Sequence, residues 1–377
     1  MPGTPGTPPI RRRLHRLLTA SLGALLAVAV QAAPARADVG DVTEYPLTTP
    51  ESFPAGITAG PDRALWFTES DGNRIGRITT GGTVTEFAVP TGSSFPFDIT
   101  QGPDRALWFT EGAADKIGRI TTSGTVTEFP LPVAGSFPTG ITLGADHALW
   151  FTENGTNKIG RMRLDGTVTE YAIPTPDSFP YHIAAGPGGV WFTEGIAGKI
   201  GRVDHSGNVT EYPLPTGFEF PIDIAAGPGG MWFTASDQIG RITPTGTITL
   251  FPRPNPGGGA DGITRGPDGN MWYSDQLGFI GRITPTGEIT EFPVPGGEEK
   301  VPFNIATGPD RNVWFTELLG NAIGRVDALP GRGPGGPHAA APQPVPGPGR
   351  EHSRHERPRR FLPCATGTPP RAARFCR

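Results

Sequence analysis

Cysteine is nearly absent from this chain of 377 residues; the only two, Cys364 and Cys376, lie close to its end. No disulfide framework can staple the body that precedes them, although after export the pair is expected to bond to each other or to another chain. Long apolar runs are lacking as well. The stretch from Leu17 to Val30 reaches 14 residues, below the ~20 needed to cross a bilayer, so no stable membrane anchor is expected. Helical spacing of apolar residues is missing from the body, which argues against a helical framework. No Ser/His/Asp nucleophile motif is present, and the glycine-rich turns are not followed by a helix, so neither covalent hydrolysis nor a phosphate cradle is indicated. Positive charge is short too: residues 38–327 hold 18 Lys and Arg against 34 Asp and Glu, a net −16. An acidic body of this kind argues against nucleic acid as a principal partner.

What is present is repetition. The seven tryptophans stand at Trp66, Trp108, Trp150, Trp191, Trp232, Trp272 and Trp314, with separations of 42, 42, 41, 41, 40 and 42. A period near 42 residues, built from short β-branched and aromatic runs between Gly, Pro and Asp turns, has the length of a four-stranded propeller blade. The first copy contains Gly56–Gly60, Ala64–Glu69, Arg74–Thr79 and Thr83–Val89. The chain is therefore expected to be all-β, a seven-bladed β-propeller with four-stranded blades. The continuous apolar second strand fits a sheet covered on both faces, while the last strand alternates as a rim strand does. Its glutamates (Glu86, Glu128, Glu170, Glu211, Glu291) are expected to guard the rim edge against pairing. The repeated arginines (Arg77, Arg119, Arg161, Arg202, Arg241, Arg282, Arg325) are expected to pair with rim or loop carboxylates.

The two ends of the repeat fit each other. Residues 42–47 read as a rim strand standing alone before the first blade, and the last copy stops at Val326 without one. The N-terminal strand is expected to complete the last blade and close the ring, leaving no free edge and implying a monomer. Before it, Arg11–Arg13, the apolar stretch and Ala35-Arg36-Ala37 compose an export signal over residues 1–37, with cleavage near Ala37 and a secreted product, by the general or the twin-arginine route. From residue 328 to 377 the chain is rich in Pro, Gly, Ala and Arg and is expected to be a disordered tail. That tail carries 9 Arg and 2 Glu, a net +7, and either touches an anionic wall polymer or is simply solvated.

The combination of Gly140-Ile141-Thr142, Leu149–Glu153 (LWFTE), Lys158–Arg161 (KIGR) and Thr167–Tyr171 (TVTEY), repeated across residues 38–327, resembles the streptogramin lyases, also called virginiamycin B lyases. The resemblance implies a Mg2+-dependent elimination that opens cyclic streptogramin B depsipeptides without adding water. A histidine base takes a proton from carbon, and the ester C–O bond breaks with a carboxylate leaving. In the family the base and its helpers flank the proline before each inner strand, as Glu-Pro-His in the last blade, Pro-His in the sixth and Pro-Tyr in the first. Here those places read Val301-Pro302-Phe303, Ala260-Asp261 and Pro54-Ala55. Of the family's site residues only Glu317 has a match, and the same glutamate recurs at Glu69, Glu111, Glu153 and Glu194. Glu317 and Asp261 are thus the catalytic candidates.

The residues after the prolines (Ala55, Phe97, Thr139, Tyr181, Ile222, Asp261, Phe303) are mostly apolar. By resemblance they line the central funnel, where Phe97, Tyr181, Asp261 and Phe303 would meet a flat or hydrophobic ligand. One residue further on, Asp98, His182, Asp223 and Asn304 replace the glycine of the other copies. They either converge on the axis as donors for a divalent cation or polar ligand, or bond backbone groups at the strand entrance. His147 and His205 fall in turns. Two readings follow. One is a lyase relative in which Asp261, His182 and Glu317 improvise a site; the other is a non-catalytic extracellular propeller binding a small molecule, glycan, cell-wall component or protein on its funnel face.

Overall fold

The computed structural model describes residues 38–215 and 220–330. The export segment and the tail beyond residue 330 lie outside the described residues. Within them, 28 strands form seven four-stranded antiparallel sheets. Blade 1 runs Pro54–Ala59, Ala64–Glu69, Arg74–Thr79 and Val84–Ala88, and the same order repeats through blade 6 (Ala260–Arg265, Met271–Asp275, Phe279–Ile283, Ile289–Pro293). First strands of successive blades pack side by side, the last against the first. Among the described residues no helix is long and apolar enough to cross a membrane.

The seventh sheet is assembled from both ends. Pro302–Thr307, Val313–Glu317 and Ala322–Val326 are joined by Val42–Pro46, in a register that sets Val42 against Val326 and Pro46 against Ala322. Tyr45 stacks on Trp314 at 5.4 Å, as Phe87 of blade 1's own outer strand stacks on Trp66 at 5.6 Å. Ala328, read from sequence as the start of the tail, packs at 1 % exposure with Val42 and Val326 in this blade's core.

Each tryptophan bridges two blades. Trp66 lies with Ile99, Leu107 and Phe109 of blade 2, and Trp314 with Ile57, Leu65 and Phe67 of blade 1. The Phe67 ring lies flat on Gly76, where any Cβ would collide with it, so the third strand must carry glycine at this point. The third-strand arginines cover the tryptophan faces, with Arg119 5.8 Å from the Trp108 ring. In blades 1–3 they also pair with the turn aspartate, Arg77 with Asp62 at 2.6 Å, Arg119 with Asp104 and Arg161 with Asp146 at 2.7 Å. Blades 4 and 5 have Gly-Gly in place of that turn, so Arg202 and Arg241 donate instead to the carbonyls of Pro244 and Pro285.

Three of the outer-strand glutamates, Glu86, Glu128 and Glu211, also bind the segment that crosses between blades. Glu86 accepts from the backbone and hydroxyls of Thr48 and Thr49, and Glu128 from Thr91 and from Lys116 at 2.8 Å. Glu211 holds Thr175 and Lys199 in the same way. These carboxylates pin the segment that crosses from one blade to the next, because that segment's own N–H groups have no strand partner there.

Candidate functional site

In every blade the ladder between the first two strands slips just after the first residue of the inner strand, between Pro96 and Ile99 in blade 2 and between Pro302 and Ile305 in blade 7. Such a bulge releases two residues from the ladder and re-aims their side chains. The two released positions are the variable pairs singled out from sequence, such as Phe97-Asp98 and Tyr181-His182. Their freed backbone groups are held by a hydroxyl on the second strand. Thr110 Oγ1 accepts from Asp98 N at 3.0 Å and donates to Thr139 O of blade 3 at 2.7 Å. Thr68, Thr152, Thr193, Thr234 and Ser274 repeat this link, and Thr316 closes the circle by donating to Ala55 O at 2.7 Å. Sequence reasoning missed these hydroxyls, since a threonine in Trp-Phe-Thr-Glu reads simply as a strand former.

The polar second positions form a follow-on chain. Asp98 reaches Ile141 N of blade 3 at 2.8 Å, Asp223 reaches Ile263 N of blade 6 at 2.8 Å, and Asn304 reaches Ile57 N of blade 1 at 3.3 Å. Each target follows a glycine, and at Gly56 a Cβ would come within 2.8 Å of the Asp98 backbone. His182 is the exception, because the next blade offers Asp223 where others offer glycine. Its Nδ1 stands 3.1 Å from Asp223 Oδ1 and 4.0 Å from Asp98 Oδ2. Burial disfavours its charge, yet Asp223 first, then Asp98 and Asp261, lift its pKa to about 9. These surroundings favour the imidazolium, the form of His182 that cannot accept a proton.

Magnesium demands a near-octahedral set of oxygens. Asp98 and Asp223 have given oxygens to backbone N–H groups, Asn304 has given its oxygen to Ile57, and the protonated His182 stands among them. As arranged, Asp98, His182, Asp223 and Asn304 do not fit that ion, and among the described residues no group of three His, Cys, Asp or Glu is placed to hold a metal.

Around these groups the apolar first positions gather. Phe97 meets Tyr181 at 5.6 Å and Phe303 at 6.0 Å, both edge to face. Burial, with Asp261 next, pushes the Tyr181 phenol well above its ordinary range. Packed with them is a second aromatic tier of residues that precede the prolines: Phe53, Phe95, Phe137, Phe179 and Phe220, the last 5.8 Å from Phe179, with Val301 in blade 7. Phe53, Phe95, Phe137, Phe179 and Val301 have positive φ between 44° and 60°. Left-handed backbone at a bulky residue costs roughly 1 kcal/mol and tends to gather at working sites. It is held here by the carbonyls of these residues, which accept from the turn after the second strand, as Phe95 O does from Gly112 N at 3.1 Å. Blade 6 breaks the tier with Gly259.

Asp261 lies under that break at 3 % exposure. Gln276 Nε2 donates to its Oδ1 at 3.1 Å, while Oδ2 has no partner. Burial first, against Gln276 and the more distant Arg253, raises its carboxyl to about 7. Arg253 is itself enclosed and is paired with Asp275 and, at 3.6 Å, with Asp237. Glu317 is placed elsewhere. It is buried inside blade 7, 3.4 Å from Lys300, which also holds Glu44 of the N-terminal strand. Burial and the Glu44 charge raise it to about 7. The same burial acts on Glu69, Glu111, Glu153 and Glu194, which fits a repeat-wide structural acid.

A seven-bladed propeller with variable residues released at the start of each inner strand is a scaffold that presents side chains at one end of its axis. The chain belongs to the virginiamycin B lyase family, whose model matches residues 35–173 and 141–331. A solved streptogramin B lyase is 36 % identical, with a TM-score of 0.71 over 76 % of this chain and 96 % of its own. A catalytically inactive histidine-to-alanine virginiamycin B lyase from Staphylococcus aureus, solved with quinupristin, is 35 % identical with a TM-score of 0.73, over 77 % and 99 % of the two chains. Among curated relatives, the virginiamycin B lyase of Bacillus licheniformis is 51 % identical over 41 residues, which is 11 % of this chain and 14 % of that protein. Matches of this kind thus span about one blade of the curated relatives.

Proposed function

We propose that this protein is an exported member of the family that binds a ligand at the aromatic end of its axis and does not open streptogramin B depsipeptides at a useful rate. The observation that carries this reading is Phe303. By resemblance the base histidine belongs at that position, and the residue there is a phenyl ring packed against Phe97, preceded by Val301 where the family has an acid. Neither side chain can move a proton. His182, the remaining axial histidine, is held protonated by Asp223.

A second reading rests on Asp261, which stands where the sixth blade's histidine would. A carboxylate with a free oxygen and a pKa near neutrality has the properties of a general base, and it would serve an elimination on a substrate other than the family's. The first reading is tested by incubating the purified protein with a streptogramin B depsipeptide, with and without Mg2+, and following product mass. No product is expected. A ring-opened product of unchanged mass would overturn the first reading, and its loss in Asp261→Asn would identify Asp261 as the base.

A further inference from the structure

We infer that the aromatic end of the axis takes a flat aromatic ligand bearing a protonated amine, an arylalkylammonium, with its ring on the phenylalanine tier and its nitrogen directed past Gly259 to Asp261. This rests on the reading that this end of the propeller is a ligand site, and it names the ligand's chemistry.

The phenylalanine tier is strained. Phe53, Phe95, Phe137 and Phe179 keep left-handed backbone, a conformation that glycine would adopt without cost. Blade 6 carries Gly259 at this step, at φ 108°, and its carbonyl still accepts from Gln276 N at 3.1 Å, so that link to the second strand does not require a ring. Stacked pairs such as Phe179 on Tyr181 at 5.9 Å and Phe95 on Phe97 at 6.2 Å give a surface of ring faces and edges. At Gly259 the atoms nearest an added Cβ belong to the Gln276 side chain, at 3.6 Å, an ordinary contact distance, so that position has room where the others have a ring.

Beneath this position is a carboxylate with an unmet need. Asp261 Oδ2 is buried without a donor, a situation that costs ~1–3 kcal/mol unless something supplies one. Gln276, partly exposed, already holds the other oxygen and connects it to the surface. The charges nearby favour a cation. The imidazole of His182 is turned to Asp98 and Asp223, and the guanidinium of Arg253 to Asp275 and Asp237, so neither cation neutralises the free Asp261 oxygen directly. An ammonium could give the free Asp261 oxygen the donor it lacks, and the aromatic rings gathered at this end attract cations further.

The test is calorimetric titration of the intact protein with 1-naphthylmethylammonium and with its neutral counterpart, 1-naphthylmethanol. The ammonium is expected to bind at least roughly tenfold more tightly, and Asp261→Asn to abolish that difference while leaving the alcohol's affinity unchanged. Gly259→Val, which gives blade 6 the residue type of blade 7, is expected to weaken both. Equal affinities, no ammonium binding up to about 10 mM, or an undiminished preference in a folded Asp261→Asn protein would overturn the inference. Depsipeptide opening is read separately by mass, so turnover there would sink the proposed function without deciding the ammonium result, and the converse also holds.

Discussion

Replacing Glu194 by glutamine isolates one member of a repeated buried acid. Glu194 closes the second strand of blade 4 with both carboxyl oxygens enclosed and unpartnered. Burial first, then the neighbouring Glu211, raises its pKa from 4.5 to about 8, against smaller opposing effects of Lys199 and Ser178. Glu211 moves the opposite way, lowered by Thr175, Lys199 and by Glu194 itself; the pair behaves as one acid and one carboxylate. Below pH 4.5 the folded and unfolded states both hold the Glu194 proton, so it has no effect on stability. Between 4.5 and 8 only the folded state keeps it, and stability falls as pH rises, by at most ~1.4 kcal/mol per pH unit. By pH 7 this amounts to no more than about 3.5 kcal/mol, and above 8 the loss is complete. Glu194→Gln cannot titrate, so urea denaturation at pH 5 and pH 8 should show the variant gaining on the wild type by a few kcal/mol at the higher pH. A difference between the two proteins that does not change with pH would refute the argument, whatever the variant's absolute stability.

Thr316→Val removes the hydroxyl that serves both Asn304 N and Ala55 O. Two buried backbone groups are then left unpaired, and a loss of about 2–4 kcal/mol is expected in denaturant, with Thr316→Ser recovering most of it. The His182 imidazole should titrate by NMR near pH 9. Its contribution is complete below about pH 6.5 and fades as pH rises through 9; a midpoint at or below the free value would contradict the Asp223 pairing. Deleting residues 38–48 removes the fourth strand of blade 7 and the Tyr45 ring over Trp314. The expected result is a lower melting temperature for the whole propeller, and one blade loosening while six stay intact would count against it.

Tryptophan spacing made the blades legible because one buried indole per blade leaves a fixed mark, and the orphan rim strand made the last sheet legible for the same reason. The site was legible only as positions. Asp98, His182, Asp223 and Asn304 stood out as departures from glycine, but their targets depend on what the next blade carries, which a single repeat does not reveal. The bulge that re-aims them leaves no mark in composition. Glu317 matches the family's site only by resemblance, and its burial beside Lys300 and Glu44, shared in kind with the buried Glu69, Glu111, Glu153 and Glu194, marks a repeat-wide acid. Asp275 of blade 6 pairs with Arg253 of blade 5. Blades 1 to 4 and 7 have a glutamate at the place of Asp275 and blade 5 has Ala235, while the other blades have an aliphatic residue at the place of Arg253, so the pair is visible only in space.

The seam between Val42 and Val326 joins residues 326 − 42 = 284 positions apart. Tethering ends so distant costs roughly 5 kcal/mol of chain entropy before any contact across them rewards it. Six blades can form from local hairpins, but the seventh waits until both ends have been synthesised and have met, and such non-local pairing is slow. Once made, the same seam governs how long the ring survives. Peeling Val42–Pro46 from Ala322–Val326 is the shortest way to open the circle, so the lifetime of the folded state is set there more than at any other sheet.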